Sequence, residues 1–379
     1  MALVLNEEQR LLKDTSKEFL TANAPVEALR QLRDSNDPIG YSKSLWTQMV
    51  ELGWASIILP EAYDGLDFGF MGLGAIIEES GHTLTASPLF STVVLGASAL
   101  ILGGNDQQKQ QHLPAVAAGS LTLTLALEET NHHNPSHVAL TAAADGANYV
   151  LNGDKVLVLD GHTADKIIVT ARTSGTTEDA NGITLFLLDA NSAGVEITQT
   201  KMIDSRNAAN IRFNNVAVAA DAIIGTIDKG FDILEPVLDR GRVCLAAEML
   251  GGAQECFDRT VAYLKEREQF GVKIGSFQAL KHRAAIMFTE LELSKSVVLD
   301  ALSAIDENRP GANQVASLAK ARLNDVYKLV TNEAVQMHGG IGVTDELEIG
   351  FFLKRARVAM QLLGDSGFHK DRYATLAGY

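Results

Sequence analysis

The sequence predicts an α+β multidomain fold: an N-terminal α-helical domain, a middle antiparallel β domain and a C-terminal four-helix bundle. Three observations predict it. Apolar residues recur at helical spacing from Asn6 to about Gly119, short β-prone runs fill residues 120–229, and the helical period returns at Phe231. The expected domains are 1–119, 120–229 and 230–379.

In the first third, Asn6 followed three residues on by Gln9 reads as a capping box, and Leu11, Leu12, Phe19 and Leu20 share a helix face. Trp46 and Trp54 are read as packing residues. The middle third holds the runs TLTLAL, YVLNGDKVLVL, KIIVTA, ITLFLLD and IRFNNVAV. Asn152-Gly153, Asn181-Gly182 and Asn214-Asn215 punctuate them as expected turns. From Phe231, the residues Leu234, Leu238, Leu245, Met249, Phe257, Val261 and Leu264 trace a broad apolar stripe, with Pro236 near the helix start. Helices are also expected over about 277–306, 313–338 and 345–363, with breaks at Arg309-Pro310-Gly311 and Gly339-Gly340.

The 379 residues, 46% hydrophobic and 21% charged, are enough for a large core. A net charge of -15 disfavours partners such as nucleic acid or an anionic membrane, because both are polyanions. Cys244 and Cys256 fall on one predicted helix roughly 18 Å apart, too far for a disulfide, which fits a reducing cytosol. The N-terminus has no basic start before an apolar block, and no apolar run reaches spanning length, so a cytoplasmic protein without a membrane span is expected.

Two interhelix segments concentrate chemistry. Gln336-Met337-His338-Gly339-Gly340-Ile341-Gly342-Val343-Thr344-Asp345-Glu346 contains three glycines that permit positive φ and close approach of a ligand to backbone amides. Taken alone, a Gly-Gly pair more often just caps one helix and starts the next. The stretch Arg267-Glu268-Gln269-Phe270-Gly271-Val272-Lys273-Ile274-Gly275-Ser276-Phe277-Gln278 sets a guanidinium, amides and two aromatic rings beside tight turns. Arginine suits a pyrophosphate and phenylalanine packs beside a flat ring.

The REQFGVKIGSFQ stretch, the QMHGGIG turn and the acid seven positions after Gly339, separated by two long helices, resemble the C-terminal domain of acyl-CoA dehydrogenases. That family has the same three-part organisation, binds FAD at subunit interfaces and oxidises acyl-CoA thioesters to trans-2-enoyl-CoA. The resemblance implies that Arg267 and Phe270 hold the diphosphate and adenine side of FAD, with Gln278 nearby. It implies that Gln336, Gly339 and Gly340 meet the diphosphate of a neighbouring subunit's FAD. Asp239 and Arg242 match contacts to CoA and the thioester chain. Leu127 and Glu128 match the strand end whose backbone amides bond the flavin pyrimidine. Gly364 and Asp365 match the end of a C-terminal Tyr-Glu-Gly-Thr motif.

Glu346 matches the family's catalytic glutamate, which takes the α-proton while the β-hydrogen leaves as hydride to flavin N5; burial would raise such a carboxylate toward the working range. Out of context, an acid at a helix start is explained by the helix dipole. Some relatives carry the base at the position of Gly241 instead, and glycine cannot serve there. The resemblance also implies an electron-transfer flavoprotein as electron acceptor and either a homo-oligomer or a heterotetramer with a related subunit.

The match is weakest in the middle third. Where the family has Thr-Glu-Pro and Gly-Ser-Asp, this chain has Leu127-Glu128-Glu129-Thr130-Asn131-His132-His133-Asn134-Pro135. Leu157 stands in place of a tryptophan that shields the flavin, and Leu159 in place of a hydroxyl donor. These substitutions place the chain with divergent bacterial relatives that act on bulky or ring-bearing thioesters, some of which pair unlike subunits. His132, His133 and His137 read as a polar loop, and no metal is expected. Two other functions compete: a redox-silent partner subunit that lends residues to a neighbour's FAD, which the altered flavin motif favours, and a flavin oxidase, which would carry Asp at the base position.

Overall fold

A computed structural model describes residues 4–379. The fold is the expected one, helices at both ends of the chain and β-structure between them. The helices are α1 (Glu7–Asn23), α2 (Val26–Asp34), α3 (Lys43–Glu51), α4 (Gly69–Thr83), α5 (Ser98–Gly103), α6 (Asp106–Ala117), α7 (Phe231–Glu266), α8 (Gln278–Asp306), α9 (Ala312–His338), α10 (Ile349–Gln361) and α11 (Ser366–Leu376). The strands are β1 (Leu123–Ala126), β2 (Thr141–Asp145), β3 (Asn148–Leu159), β4 (Lys166–Arg172), β5 (Ile183–Asp189), β6 (Val195–Lys201), β7 (Asn207–Ala219), β8 (Ile223–Ile224) and the short pair β9 (Glu268–Gln269) and β10 (Val272–Lys273).

Two compact units divide the chain. One comprises the N-terminal residues through Asp34, Gly69–Thr85 and Arg242–Tyr379; the other comprises Ser35–Phe68 and Ala86–Gly241. Long helices build the first unit. Its α1 starts with the capping box that its sequence announces: Gln9 N–H donates to Asn6 Oδ1 at 2.8 Å, and Asn6 N–H donates to Gln9 Oε1 at 3.0 Å. On α9, Ala316, Ala319, Leu323, Val326, Val330, Ala334 and Met337 are buried at three- and four-residue spacing, the stripe that drives this helix into the core. Arg355 of α10 is fastened to Glu248 of α7 by two hydrogen bonds of 2.8 and 2.9 Å, in a pair that is buried on both sides. Cys244 and Cys256 are free and buried on α7.

The second unit is organised by a sheet of order β6-β7-β3-β2-β4-β5-β8, with β1 paired to β4. Most neighbours are antiparallel, but β1 and β2 run parallel to β4. Leu151, Val158, Val169, Phe186, Ile211 and Phe213 belong to its buried cluster.

Two of the three expected turns are strand interiors. Asn152-Gly153 lies within β3, where the register against β7 shifts between Leu151 and Gly153, and Asn214-Asn215 lies within β7. Asn215 N–H donates to Asn152 Oδ1 at 2.9 Å across the pair. Gly153 has φ 144, and an added Cβ would lie 2.8 Å from Leu140 Cα, so the Asn-Gly signal marks a bulge under close backbone contact rather than a hairpin. Asn181-Gly182 does precede β5 as a turn, with Gly182 at φ 86.

Candidate active site

α9 ends at His338, and Gly339 follows at φ 65 and ψ -142, a conformation suited to glycine alone. A Cβ added at Gly339 or Gly340 would meet nothing within 4 Å, so the backbone of this turn faces open space. A short 3-10 turn, Gly339–Val343, then leads directly to Thr344, Asp345 and Glu346. Gln336, Gly339, Gly340 and Glu346 are all exposed.

The sequence pattern puts Glu346 at the head of the last helix, but α10 begins only at Ile349, and the single chain leaves Glu346 exposed rather than buried. Neighbouring arginines explain the late start. The Asp345 carbonyl, which would accept the first helical bond, instead accepts Arg30 Nη1 at 2.7 Å. The Asp345 carboxylate takes Arg30 Nη1 at 2.9 Å and both Arg33 amino groups at 2.8 and 2.7 Å. Those Arg33 hydrogen bonds hold the Asp345 carboxyl down at a pKa of about 2. Both guanidinium groups also lie over the Phe351 ring, at 4.9 and 4.8 Å. Three residues on, Glu348 is ion-paired with Arg259, which also bonds Glu255 at 2.7 Å. Two of the three acids in this segment are therefore neutralised by arginines. Among the described residues the Glu346 carboxylate has no hydrogen-bond or ion-pair partner; its N–H donates to Thr344 Oγ1 at 3.4 Å.

At the end of α7 the chain makes the small hairpin β9–β10, closed by a Glu268–Lys273 ion pair of 2.7 Å. Phe270 sits at its tip with φ 55 and is 92% exposed, its ring 6.3 Å from Phe277. Arg267 is exposed and its guanidinium has no partner among the described residues; Gln278, first residue of α8, is also exposed. One turn before Arg267, Tyr263 stacks on His338 at 4.3 Å and its hydroxyl donates to the His338 carbonyl at 3.5 Å. The two glycine-bearing segments singled out in the sequence are thus neighbours within one chain.

Asp239 and Arg242 lie on α7 and are both buried. The Arg242 guanidinium lies 5.6 Å from the Phe368 ring. Gly364 is buried, and its carbonyl accepts Lys320 Nζ at 3.0 Å and Asn324 Nδ2 at 3.3 Å. Burial pushes the Lys320 ammonium well below the usual lysine range. Asp365 is a helix cap, since its Oδ1 accepts Phe368 N–H at 2.8 Å at the start of α11, a helix beyond the last one that the sequence pattern predicts, which ends at about 363.

In the second unit, Leu127 follows the end of β1 and is buried, while Glu128 is half-buried. The Leu127 carbonyl accepts Lys155 Nζ at 3.1 Å, and the Glu128 carbonyl accepts Val156 N–H at 2.7 Å. Lys155 is fully buried and also donates to Glu129 Oε1 and Thr170 Oγ1, each at 2.7 Å; burial pushes its pKa down to about 8. Sequence reasoning misses Lys155, although a lone lysine in an otherwise apolar strand is a signal of a buried partner. The three loop histidines do not converge: His133 pairs with Glu128 at 2.5 Å and His137 with Glu178 at 2.6 Å. The one cluster of potential metal ligands among the described residues, Glu78, Glu79 and His82, lies elsewhere on α4, with the Lys13 ammonium 2.7 Å from Glu78.

Backbone strain gathers at these segments. Among the described residues, the bulky apolar side chains at positive φ are Leu84, Leu157, Phe270 and Leu363, and the last three fall in stretches that the family resemblance ties to the cofactor.

The profile of the acyl-CoA dehydrogenase N-terminal domain matches residues 6–120, that of the middle domain residues 125–216, and that of the C-terminal domain residues 228–376. The chain is 32% identical to the probable acyl-CoA dehydrogenase YngJ of Bacillus subtilis, over 94% of each sequence. The chain belongs to the acyl-CoA dehydrogenase family. It is also similar to CarC, a subunit of the caffeyl-CoA reductase-Etf complex of Acetobacterium woodii, at 27% identity over 94% of each chain. The structure of butyryl-CoA dehydrogenase from Megasphaera elsdenii superposes with a TM-score of 0.91 at 26% identity, covering 100% of both chains. The chain is accordingly an acyl-CoA dehydrogenase-type oxidoreductase whose cofactor is FAD. Its own residues fit such a group: a guanidinium at Arg267 that is unpaired among the described residues, an open glycine backbone at Gly339 and Gly340, and an exposed ring at Phe270 suit a pyrophosphate flanked by flat rings. No helix among the described residues is long and apolar enough to cross a membrane.

Proposed function

We propose that the protein dehydrogenates an acyl-CoA thioester between Cα and Cβ to the trans-2-enoyl-CoA, with Glu346 as the base that removes the α-proton. One observation carries this reading: of the acids Asp345, Glu346 and Glu348, only Glu346 keeps a carboxylate uncommitted to an arginine, and it closely follows the open glycine turn. An ion-paired carboxylate is a poor proton acceptor, because its charge is already stabilised where it stands. FAD, when bound, supplies the acceptor for the β-hydride. Glu346 holds the α-proton on a carboxylate oxygen, and Asp239 and Arg242 position the thioester.

Arg267, Phe270 and Gln278 hold the diphosphate and adenine end of the cofactor, and Gln336, Gly339 and Gly340 meet the diphosphate of a neighbouring subunit's FAD. Leu127 and Glu128 bond the flavin pyrimidine through backbone amides, and Gly364 and Asp365 are further cofactor contacts on the helical unit. The partner class is supported by exposed apolar residues on α8, Ile286, Phe288 and Leu293, which favour a homo-oligomer or a heterotetramer with a related subunit. An electron-transfer flavoprotein is the proposed electron acceptor, in keeping with the Etf complex named for the Acetobacterium woodii relative.

The test is an anaerobic titration of the flavin-loaded protein with a small panel of acyl-CoA thioesters, following loss of the flavin absorption band. Bleaching by at least one member supports the reading; an intact band with every thioester, in a protein that holds FAD stoichiometrically, overturns it. Arg267→Ala is expected to weaken FAD retention about tenfold to hundredfold, the worth of a charge-assisted hydrogen bond. Flavin content after gel filtration measures this, and unchanged content removes Arg267 from the site.

A second reading is favoured by the middle-domain substitutions: a redox-silent subunit that lends Arg267 or Gln336 to a neighbour's FAD. There, Leu157 stands at φ 53 in a bulged stretch of β3, without the ring or hydroxyl donor of the family motif. A purified protein that is colourless alone and turns yellow only when coexpressed with a related subunit selects this reading.

A further inference from the structure

We infer that Lys155 is a positioning residue for the backbone amides of Leu127 and Glu128; this rests on the proposed contact between those amides and the flavin pyrimidine. A fully buried ammonium is costly unless its N–H groups are all answered. Here three groups answer it, gathered around the end of β1: the Leu127 carbonyl at 3.1 Å, Glu129 Oε1 at 2.7 Å and Thr170 Oγ1 at 2.7 Å. No helix or strand covers residues 127–140, so contacts of this kind set the shape of the segment.

The ladder between β1 and β4 ends where Ala126 faces Val169. Beyond it the carbonyls of the chain are taken and the N–H groups are not. Thr170 Oγ1 donates to the Ala126 carbonyl at 3.5 Å, Lys155 Nζ to the Leu127 carbonyl, and Val156 N–H to the Glu128 carbonyl at 2.7 Å. Each of these peptides is planar and trans, so its N–H points opposite to its carbonyl. Holding the Ala126 carbonyl therefore turns the Leu127 N–H away from Thr170, and holding the Leu127 carbonyl turns the Glu128 N–H away from Lys155. Among the described residues neither N–H has an acceptor. The Glu128 carboxylate meets His133 Nδ1 at 2.5 Å, so what this stretch offers the carbonyl oxygens of a flat heterocycle is its backbone. Glu129 locks the arrangement, because its carboxylate also accepts Ala139 N–H at 2.7 Å and Leu140 N–H at 3.0 Å and so closes the loop on itself. Arg172 holds the far limb through the Ser136 and Val138 carbonyls, each at 3.2 Å. The charged pair at the base of the loop thus fixes the direction of two successive amides.

Lys155→Met alone strands the buried Glu129 carboxylate, so the deciding variant is Lys155→Met/Glu129→Gln, which strands no charge and keeps an amide oxygen to accept from Ala139 and Leu140. Thr170→Val leaves the charged pair intact and removes only the hydroxyl at the Ala126 carbonyl. The readouts on the flavin-loaded proteins are the vibrational bands of the flavin pyrimidine carbonyls, the rate of FAD loss on dilution and the urea midpoint. Amide hydrogen exchange over residues 126–130 is measured on the parent with FAD bound and after its removal. The double variant is expected to shift the carbonyl bands to higher frequency, as a weakened hydrogen bond does, and to release FAD about tenfold faster. Thr170→Val shifts the bands in the same direction by less, and FAD slows exchange over residues 126–130 in the parent. Unshifted bands in the double variant, with that protection present in the parent, overturn the positioning role and leave the amide contact standing. Faster FAD loss with unshifted bands also overturns it, because general loosening of the β-structure produces that result. Where the double variant fails to fold, Thr170→Val decides alone, and unshifted bands in it overturn the inference. No protection by FAD in the parent overturns the amide contact and the role of Lys155 together.

Discussion

Glu346→Gln is expected to bind FAD as the parent does and to lose about 10²–10⁴-fold in turnover, the usual contribution of a positioned general base. The amide has the size of the carboxylate but no basic oxygen at neutral pH, so the substitution removes proton acceptance and little else. Cofactor retention is preserved because the groups proposed to hold FAD lie on other residues: the Arg267 guanidinium and the backbone of Gly339 and Gly340. Neither acidic neighbour can stand in. Asp345 is held by Arg33 and Arg30, with its pKa at about 2, and Glu348 is engaged by Arg259. Rapid mixing with an acyl-CoA that bleaches the parent flavin measures the step, and a parent-like bleaching rate in Glu346→Gln moves the base elsewhere. Glu346→Asp should fall between the two, since it retains the carboxylate but withdraws it by one methylene.

Arg355→Met is expected to lower the unfolding free energy by about 3–5 kcal/mol, because removing one partner of a buried pair strands the other charge. The Arg355 and Glu248 side chains are each 8% exposed and share two hydrogen bonds of 2.8 and 2.9 Å. With Arg355 gone, the Glu248 carboxylate stays buried on α7 without its counter-ion. The double variant Arg355→Met/Glu248→Leu should regain most of the loss, since an apolar pair of similar volume needs no desolvation of charge. Urea denaturation of the three proteins decides it: a single variant within about 1 kcal/mol of the parent shows that water or a shifted side chain satisfies Glu248.

Much of the proposed site is legible in the sequence because its chemistry is written in short contiguous motifs. Three glycines within four residues after His338, an acid at Glu346, and an arginine and a phenylalanine beside a tight turn announce themselves in any frame. The helix stripes are equally plain, since burial on one face imposes a period that needs no partner to be seen. The Asn-Gly and Asn-Asn signals mislead because the same left-handed tendency serves a bulge as well as a turn, and only the β3–β7 register distinguishes them. Pattern alone starts α10 too early because the residue that delays it, Arg30, is 315 positions away in the chain.

The sequence by itself determined which residues are apolar and at what period, hence the helical, β and helical thirds, and it determined the family through local motifs at fixed spacing. Tertiary structure alone decided the state of each polar group. That Asp345 and Glu348 are neutralised while Glu346 is not, that Lys155 and Arg355 are buried with carboxylates, and that Tyr263 sets the Arg267 hairpin against the glycine turn all depend on long-range partners. The physical reason is that hydrophobic burial is additive and non-directional, so pattern suffices to place it, whereas the charge and reactivity of a carboxylate depend on one guanidinium a few ångströms away.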